Sequence, residues 1–198
     1  LGLPVVAIDS ALTGAELNKV GINNFEGAYK ATEYLISMGH RRIGHLHSSD
    51  WIKNFDERRA GFLSALKHKG LEPDEGGSAA LRANTEDAWQ DMLAYLRAKP
   101  PLPTAFFVDN DVIALGAMRA LKESGYQIPG DVSVIGFDDI PACTVIEPPL
   151  TTMRVECKCI GKVAVERLVE LIKNGDSYRI KQEIDTALIE RQSVKRLV

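Results

Sequence analysis

The sequence predicts an α/β protein built on doubly wound parallel sheets and divided between two lobes. Three observations carry this expectation. Short apolar runs alternate with amphipathic helical segments along most of the 198 residues, the pattern of strands paired in parallel through right-handed crossovers. Polar residues follow the apolar runs, at the strand ends where open sheets gather ligand-binding groups. The alternation then breaks at Asp139–Leu150, a connection holding Pro141, Pro148 and Pro149. A single sheet has no need of it, whereas two lobes joined by several chain crossings do.

Val5–Ile8 reads as a buried strand. Asn24 is placed to cap a helix that runs to Met38 and stops at Gly39, with Phe25, Ala28, Leu35 and Met38 on one face. Arg42–Leu46 is the next strand, followed by a polar loop, His47–Phe55, and a helix over Asp56–Lys69 closed by Gly70. That helix carries Phe62, Leu63 and Leu66 as its apolar stripe. A short strand near Ser78–Leu81 leads to Asn84 or Thr85 as the cap of a helix bearing Trp89, Met92, Leu93 and Leu96, ended by Pro100 and Pro101. Thr104–Val108, Asp111–Ser124 and Val132–Phe137 then read as strand, helix and strand. Beyond the proline-rich connection come a strand at Thr151–Val155, a helix near Ile160–Lys173 and alternating strand residues over Ile180–Ile189. Lobe crossings are expected near Asn23, Thr151 and Gly175.

The composition is that of an ordinary globular chain, 45% hydrophobic and 26% charged. A formal net charge of −3 supplies no concentrated positive field, so this segment by itself is not expected to hold DNA. Cys143, Cys157 and Cys159 form no C-x-x-C pair and read as small semi-buried residues of a reducing cytosol. No apolar run reaches membrane-spanning length and no leader opens the chain. Its first residues read as a strand entered in mid-domain, which makes the chain a fragment by expectation.

At the strand ends the sequence delivers Asp9; His47 with Trp51, Asn54 and then Arg58; Asn84; Asp109, Asn110 and Asp111; and Asp138 with Asp139. An arginine fork, carboxylates, amides and an aromatic suit a polyhydroxylated ligand. Each has a plainer role open to it. Asp111, directly before an apolar run, reads first as a helix cap. Asp138 and Asp139 fit a turn, and Trp51 fits a loop staple as well as a ligand wall. Arg58 and Arg59 stand against the helix dipole, so at least one is expected to have a specific partner. His45 and His47 share a strand face but lack a third ligand, so no metal is expected, and no cofactor either. No G-x-G-x-x-G, P-loop, G-x-S-x-G or H-E-x-x-H signature occurs, which argues against an enzyme without excluding a sugar isomerase or hydrolase.

Several runs resemble the lactose/galactose repressor (LacI/GalR) family in order and spacing. They are Pro4–Asp9, Tyr34–Ile43, Arg58-Arg59-Ala60-Gly61-Phe62, Asn110–Ala117, Ile128–Asp139 and Pro148–Met153. The resemblance implies a two-lobed, periplasmic-binding-protein-like fold with an incomplete N-terminal lobe, preceded in the family by a helix-turn-helix headpiece. It implies a remnant of the N-terminal lobe at 1–23, the C-terminal lobe at 24–152, a return segment at 153–176 and final strands of the C-terminal lobe at 177–198. By position, Asp9, Asn54, Arg58, Asn110 and Asp138 would line the effector cleft. The family's Gly-Pro after the second strand is replaced by His47-Ser48-Ser49-Asp50-Trp51, its stacking aromatic by Ala83 and a polar contact by Val155. Trp51 would then offer the stacking surface that Ala83 lacks. The implied function is a cytoplasmic repressor's sugar-sensing domain, acting on an operator through the headpiece and dimerising through Leu115, Arg119, Val145 and Ile146. A solute-binding receptor of a sugar transport system is the alternative.

Overall fold

A computed structural model describes residues 3–9, 17–175 and 178–197. Of the expected remnant 1–23, residues 1–2 and 10–16 lie outside the described residues, as do 176, 177 and 198 of the later segments.

The larger sheet is six-stranded. Its strands are β3 (Ile43–Ser48), β4 (Ala79–Leu81), β5 (Ala105–Val108), β6 (Ser133–Asp138), β7 (Thr151–Arg154) and β9 (Ala187–Ile189), in the spatial order β4-β3-β5-β6-β7-β9. All neighbours pair in parallel except β7 with β9. Both faces of this sheet are covered, which explains the uninterrupted apolar run of β5. Ala105 and Phe107 point into a core shared with α1 (Asn24–Ser37) and α2 (Lys53–His68), whereas Phe106 and Val108 point into a core shared with α3 (Thr85–Arg97) and α4 (Asp111–Glu123).

Two glycines set the helix spacing on the two faces. A Cβ at Gly61 of α2 would lie 2.1 Å from the Phe25 carbonyl oxygen of α1. One at Gly116 of α4 would lie 2.4 Å from the Thr85 carbonyl oxygen of α3. These are the glycines of the R-x-x-G-F and N-D-x-x-A-L-G runs, and close helix approach is their physical reason. Of the expected inner face of α1, Ala28 and Leu35 are fully buried and Met38 packs on the core, whereas Phe25 is 42% exposed and Ala31 takes a buried place.

The smaller sheet has the order β1-β2-β8, all parallel, with β1 (Val6–Ile8), β2 (Asn18–Ile22) and β8 (Lys181–Ile184). Helix α5 (Cys157–Asn174) packs on β1 and β2. Strand β2 has no counterpart among the expected elements, although Asn18, Val20 and Ile22 are buried in alternation with Lys19 and Gly21.

The chain passes between the sheets at Asn23, at Val155–Glu156 and at Asp185–Thr186. The expected crossings near Thr151 and Gly175 are thereby displaced, and the expected strand over 180–189 is two strands in different sheets. Segment 177–198 therefore belongs only in part to the larger lobe. Its β8 extends the smaller sheet beyond β2, where parallel pairing with Lys19–Ile22 satisfies its backbone. Two of the crossings are pinned together: Asn23 Nδ2 donates to Asp185 Oδ1 at 2.8 Å, and Asn23 N to the Ile184 carbonyl at 3.0 Å.

Candidate ligand-binding site

Strand order reverses direction at β3 and β5, since the chain steps from β3 outward to β4 and then back across to β5. The loops leaving β3 and β5 diverge there and open a crevice at their carboxyl ends. Asp109, the first residue after β5, stands in it and is buried. Its Oδ1 lies 2.6 Å from His45 Nε2, its Oδ2 accepts the Ser48 N–H at 2.7 Å, and its carbonyl accepts from Arg58 Nη1. One aspartate thus fixes β3, the loop after β3 and the arginine.

Arg58 is 3% exposed on the second turn of α2. Nε donates to Asn24 Oδ1 at 2.9 Å, and Nη2 reaches Asp138 Oδ1 at 3.2 Å. Its guanidinium carbon lies 3.8 Å from the centre of the Phe137 ring. Burying this charge is tolerable because partners from three other elements receive it. Asn24 also donates through Nδ2 to Glu57 Oε2 at 3.2 Å.

Asn24 reaches the site because it is not the cap of α1. That role falls to Asn23, whose side chain accepts from the Glu26 N–H at 3.3 Å. The same one-residue shift occurs at α4. Asn110 is the cap, accepting from the Ile113 N–H at 3.0 Å, and the expected cap Asp111 is fully buried inside the helix. Asp111 accepts from Thr152 Oγ1 at 2.7 Å and from the Ile140 N–H at 3.1 Å; burial nevertheless pushes its carboxyl above the usual range. At α3 the cap is Asn84.

Asp138 ends β6 with φ 115°, a conformation L-residues rarely adopt. Burial raises its carboxyl to about 6, against the lowering pull of Arg58 and with further raising from the charges of Asp111 and Asp9. Asp139, also at positive φ (59°), is held by Arg191 Nη2 at 2.6 Å. On the smaller lobe, Asp9 directly follows β1 at φ 46° and accepts from Asn54 Nδ2 at 2.9 Å. That hydrogen bond joins the two lobes across a cavity of about 130 Å3 lined by Asp9, Gly21, Asn24, Lys53, Asn54 and Lys181, among others.

The structure therefore brings Asp9 and Asn54 together on the cavity and links Arg58, Asp138 and Asn24 in one network beside it. Asn110 is half-buried at the head of α4. Trp51 is 79% exposed and borders a neighbouring opening with His47, Asp56 and Arg59. Asn24, Lys53, Glu57 and Lys181 also line this cavity, which the sequence did not reveal. Among the described residues no group of His, Cys, Asp and Glu is placed to hold a metal ion, and no helix is long and apolar enough to cross a membrane. Of the residues expected at a dimer contact, Val145 is 83% exposed. Ile146 packs against the α3/α4 core. Arg119 is engaged within the chain by Glu86, Glu123 and the Trp89 ring.

Two lobes built on largely parallel sheets are joined by chain crossings and place polar strand ends around a cavity, the architecture of a two-lobed α/β domain with a cleft. A model of the periplasmic binding protein-like domain matches residues 32–194, and the chain belongs to that family. The resemblance to LacI/GalR-type regulators is borne out by its relatives. The chain is 34% identical over 195 residues to the HTH-type transcriptional repressor PurR of Mannheimia succiniciproducens, covering 98% of this chain and 58% of the relative. It thus spans little more than half the length of that relative. A LacI family regulator from Enterococcus faecium with bound ribose superimposes with a TM-score of 0.87 at 27% identity, covering 98% of this chain and 72% of the other. The transcriptional regulator CelR in complex with cellobiose gives 0.86 at 29%, covering 97% and 59%.

Proposed function

We propose that this chain is the effector-sensing part of a DNA-binding transcriptional repressor, and that its effector is a neutral sugar held between the lobes. The observation that carries this is Arg58, fixed at the switch point by Asn24, Asp109 and Asp138 beside the cavity that Asp9 and Asn24 line. Three of the five guanidinium N–H groups are committed to those partners. In this proposal Arg58 holds Asn24 and Asp138 in place beside the cavity, while Asp9 and Asp138 accept from hydroxyl donors. Ribose and cellobiose in the two related structures support the same ligand chemistry. Asn54 and Asn110 complete the polar lining in this proposal, and Trp51, which borders the neighbouring opening, is not assigned to it.

The ligand shifts an equilibrium between two lobe arrangements, by no more than its difference in affinity for them. No chemical step is assigned to the site, and the protein is not an enzyme. Operator binding belongs to a headpiece outside this chain. The protein acts in the cytoplasm as a homodimer paired through Leu115, Arg119, Val145 and Ile146.

Calorimetric titration of the protein with pentoses, hexoses and their disaccharides tests this. A sugar is expected to bind and to be recovered unchanged, and Asp138→Asn is expected to weaken it roughly tenfold or more. A panel without a binder, a sugar consumed by the protein, or equal affinity in the variant overturns the proposal.

A further inference from the structure

Helix α2 separates two cavities. Lys53, Asn54 and Glu57 border the inter-lobe opening. Arg59, Phe62 and Leu63, spaced for the adjacent face of the same helix, border a second cavity of about 380 Å3 beside the β4 edge of the larger sheet. Strand β3 supplies its inner wall through His45 and His47, which lie on one side of the strand with ring centres 5.5 Å apart.

The chemistry of this second cavity is two-sided. Leu63, Pro73, Ala79 and Ala80 line it with carbon, and behind them the buried Phe62 stacks on Phe107 at 5.7 Å and lies tilted against His45 at 5.0 Å. Beside Leu63 on the same helix face, the Arg59 guanidinium makes no hydrogen bond or ion pair with any of the described residues, and Arg59 is exposed. His47 donates Nδ1–H to the Ser48 carbonyl at 3.1 Å, so Nε2 of the neutral ring is an acceptor and the anion-binding group here is Arg59. The Ser78 hydroxyl at the wall is committed, donating to the Asp74 carbonyl at 2.8 Å and accepting the His45 N–H at 2.9 Å, and Glu75 brings a carboxylate to the rim.

We propose that this cavity is a second small-molecule site that takes an aromatic or short-chain monocarboxylate. The carboxylate sits against the Arg59 fork, and the apolar body lies on Leu63, Pro73 and Ala80. Glu75 limits the ligand to a single negative charge, because a dianion would place its second charge against a like one.

The probe is benzoate, with benzamide and phthalate as its uncharged and doubly charged counterparts, titrated into the protein by calorimetry and by NMR. Benzoate is expected to bind and to shift the signals of His47, Phe62 and Leu63. Benzamide, phthalate and the Arg59→Ala variant are each expected to weaken the interaction roughly tenfold, as loss of a charge-assisted hydrogen bond does. Arg59→Lys keeps part of the affinity. Asp138→Asn, which disables the inter-lobe site, leaves benzoate binding unchanged, so failure of one site is distinguishable from failure of the other. Absence of benzoate binding, or equal affinity in Arg59→Ala, overturns the second site; equal binding of phthalate overturns its charge selectivity.

Discussion

Arg58 lies against the ring of Phe137, 3.8 Å from its centre, while the residue after Phe137 receives the same guanidinium at 3.2 Å. Two consecutive residues of β6 therefore hold one arginine by two different means, a ring face and a carboxylate. Phe137 itself is fully buried, with Gly27 packed against its edge. The arginine is anchored to the core of the larger lobe and not to a mobile loop.

Arg58→Ala is expected to cost about 3 kcal/mol of stability, because it strands the Asn24 amide, the Asp109 carbonyl and the Asp138 carboxylate together. Arg58→Lys is expected to recover less than half of that, since an ammonium cannot reach the three acceptors or lie flat on Phe137. Denaturant unfolding of both variants measures this, and a lysine variant as stable as the parent would contradict it.

Ligand affinity is expected to fall as pH drops through about 6, the range to which burial raises Asp138. The sign follows from the role of the group. A carboxylate accepting from a ligand hydroxyl must be ionised, and protonation below that pH removes the acceptor. For the unliganded protein the sign is opposite. A carboxyl raised above its unfolded value contributes stability at low pH that is lost as pH rises through about 6. Titrations across this range with the parent and Asp138→Asn separate the two effects. The variant should show neither dependence.

Gly61→Ala is expected to destabilise the larger lobe by about 2 kcal/mol or more. The new methyl would sit 2.1 Å from the Phe25 carbonyl oxygen, and backbone on α1 cannot yield as a flexible side chain can. Thermal unfolding reads the outcome, and an unchanged midpoint would refute the close-approach account of this glycine.

Val145→Asp is expected to shift the protein from dimer to monomer with little change in the fold. The parent side chain is 83% exposed and apolar, so a charge there costs little in the folded monomer and much in a dry contact between copies. Sedimentation of the variant checks this. A dimer of undiminished strength would remove Val145 from the proposed contact.

Much of this architecture was legible in the chain itself. Period and punctuation located most strands and helices, because glycines at Gly39, Gly70 and Gly125 end helices in the left-handed conformation whatever surrounds them. Strand ends marked Asp9, Arg58 and Asp138 as one polar group, because an open parallel sheet can present ligand groups only there. Local sequence did not settle which of two adjacent polar residues caps a helix. Asn23 and Asn110 take that role, and Asn24 and Asp111 pass inward. Capping is nearly equal for either neighbour, so the choice fell to distant partners: Arg58 for Asn24, Thr152 and Ile140 for Asp111.

The sequence by itself determined the fold class and the cast of polar residues at the strand ends, since both follow from interactions between near neighbours. Only the tertiary structure decided that β8 joins the smaller sheet, that Asn24 and Glu57 enter the site and that Trp51 stands outside the inter-lobe cavity. Those outcomes depend on strand pairing and hydrogen bonds between segments far apart in the chain, such as Lys19 with Lys181 and Arg58 with Asp138, whose energies no local pattern records.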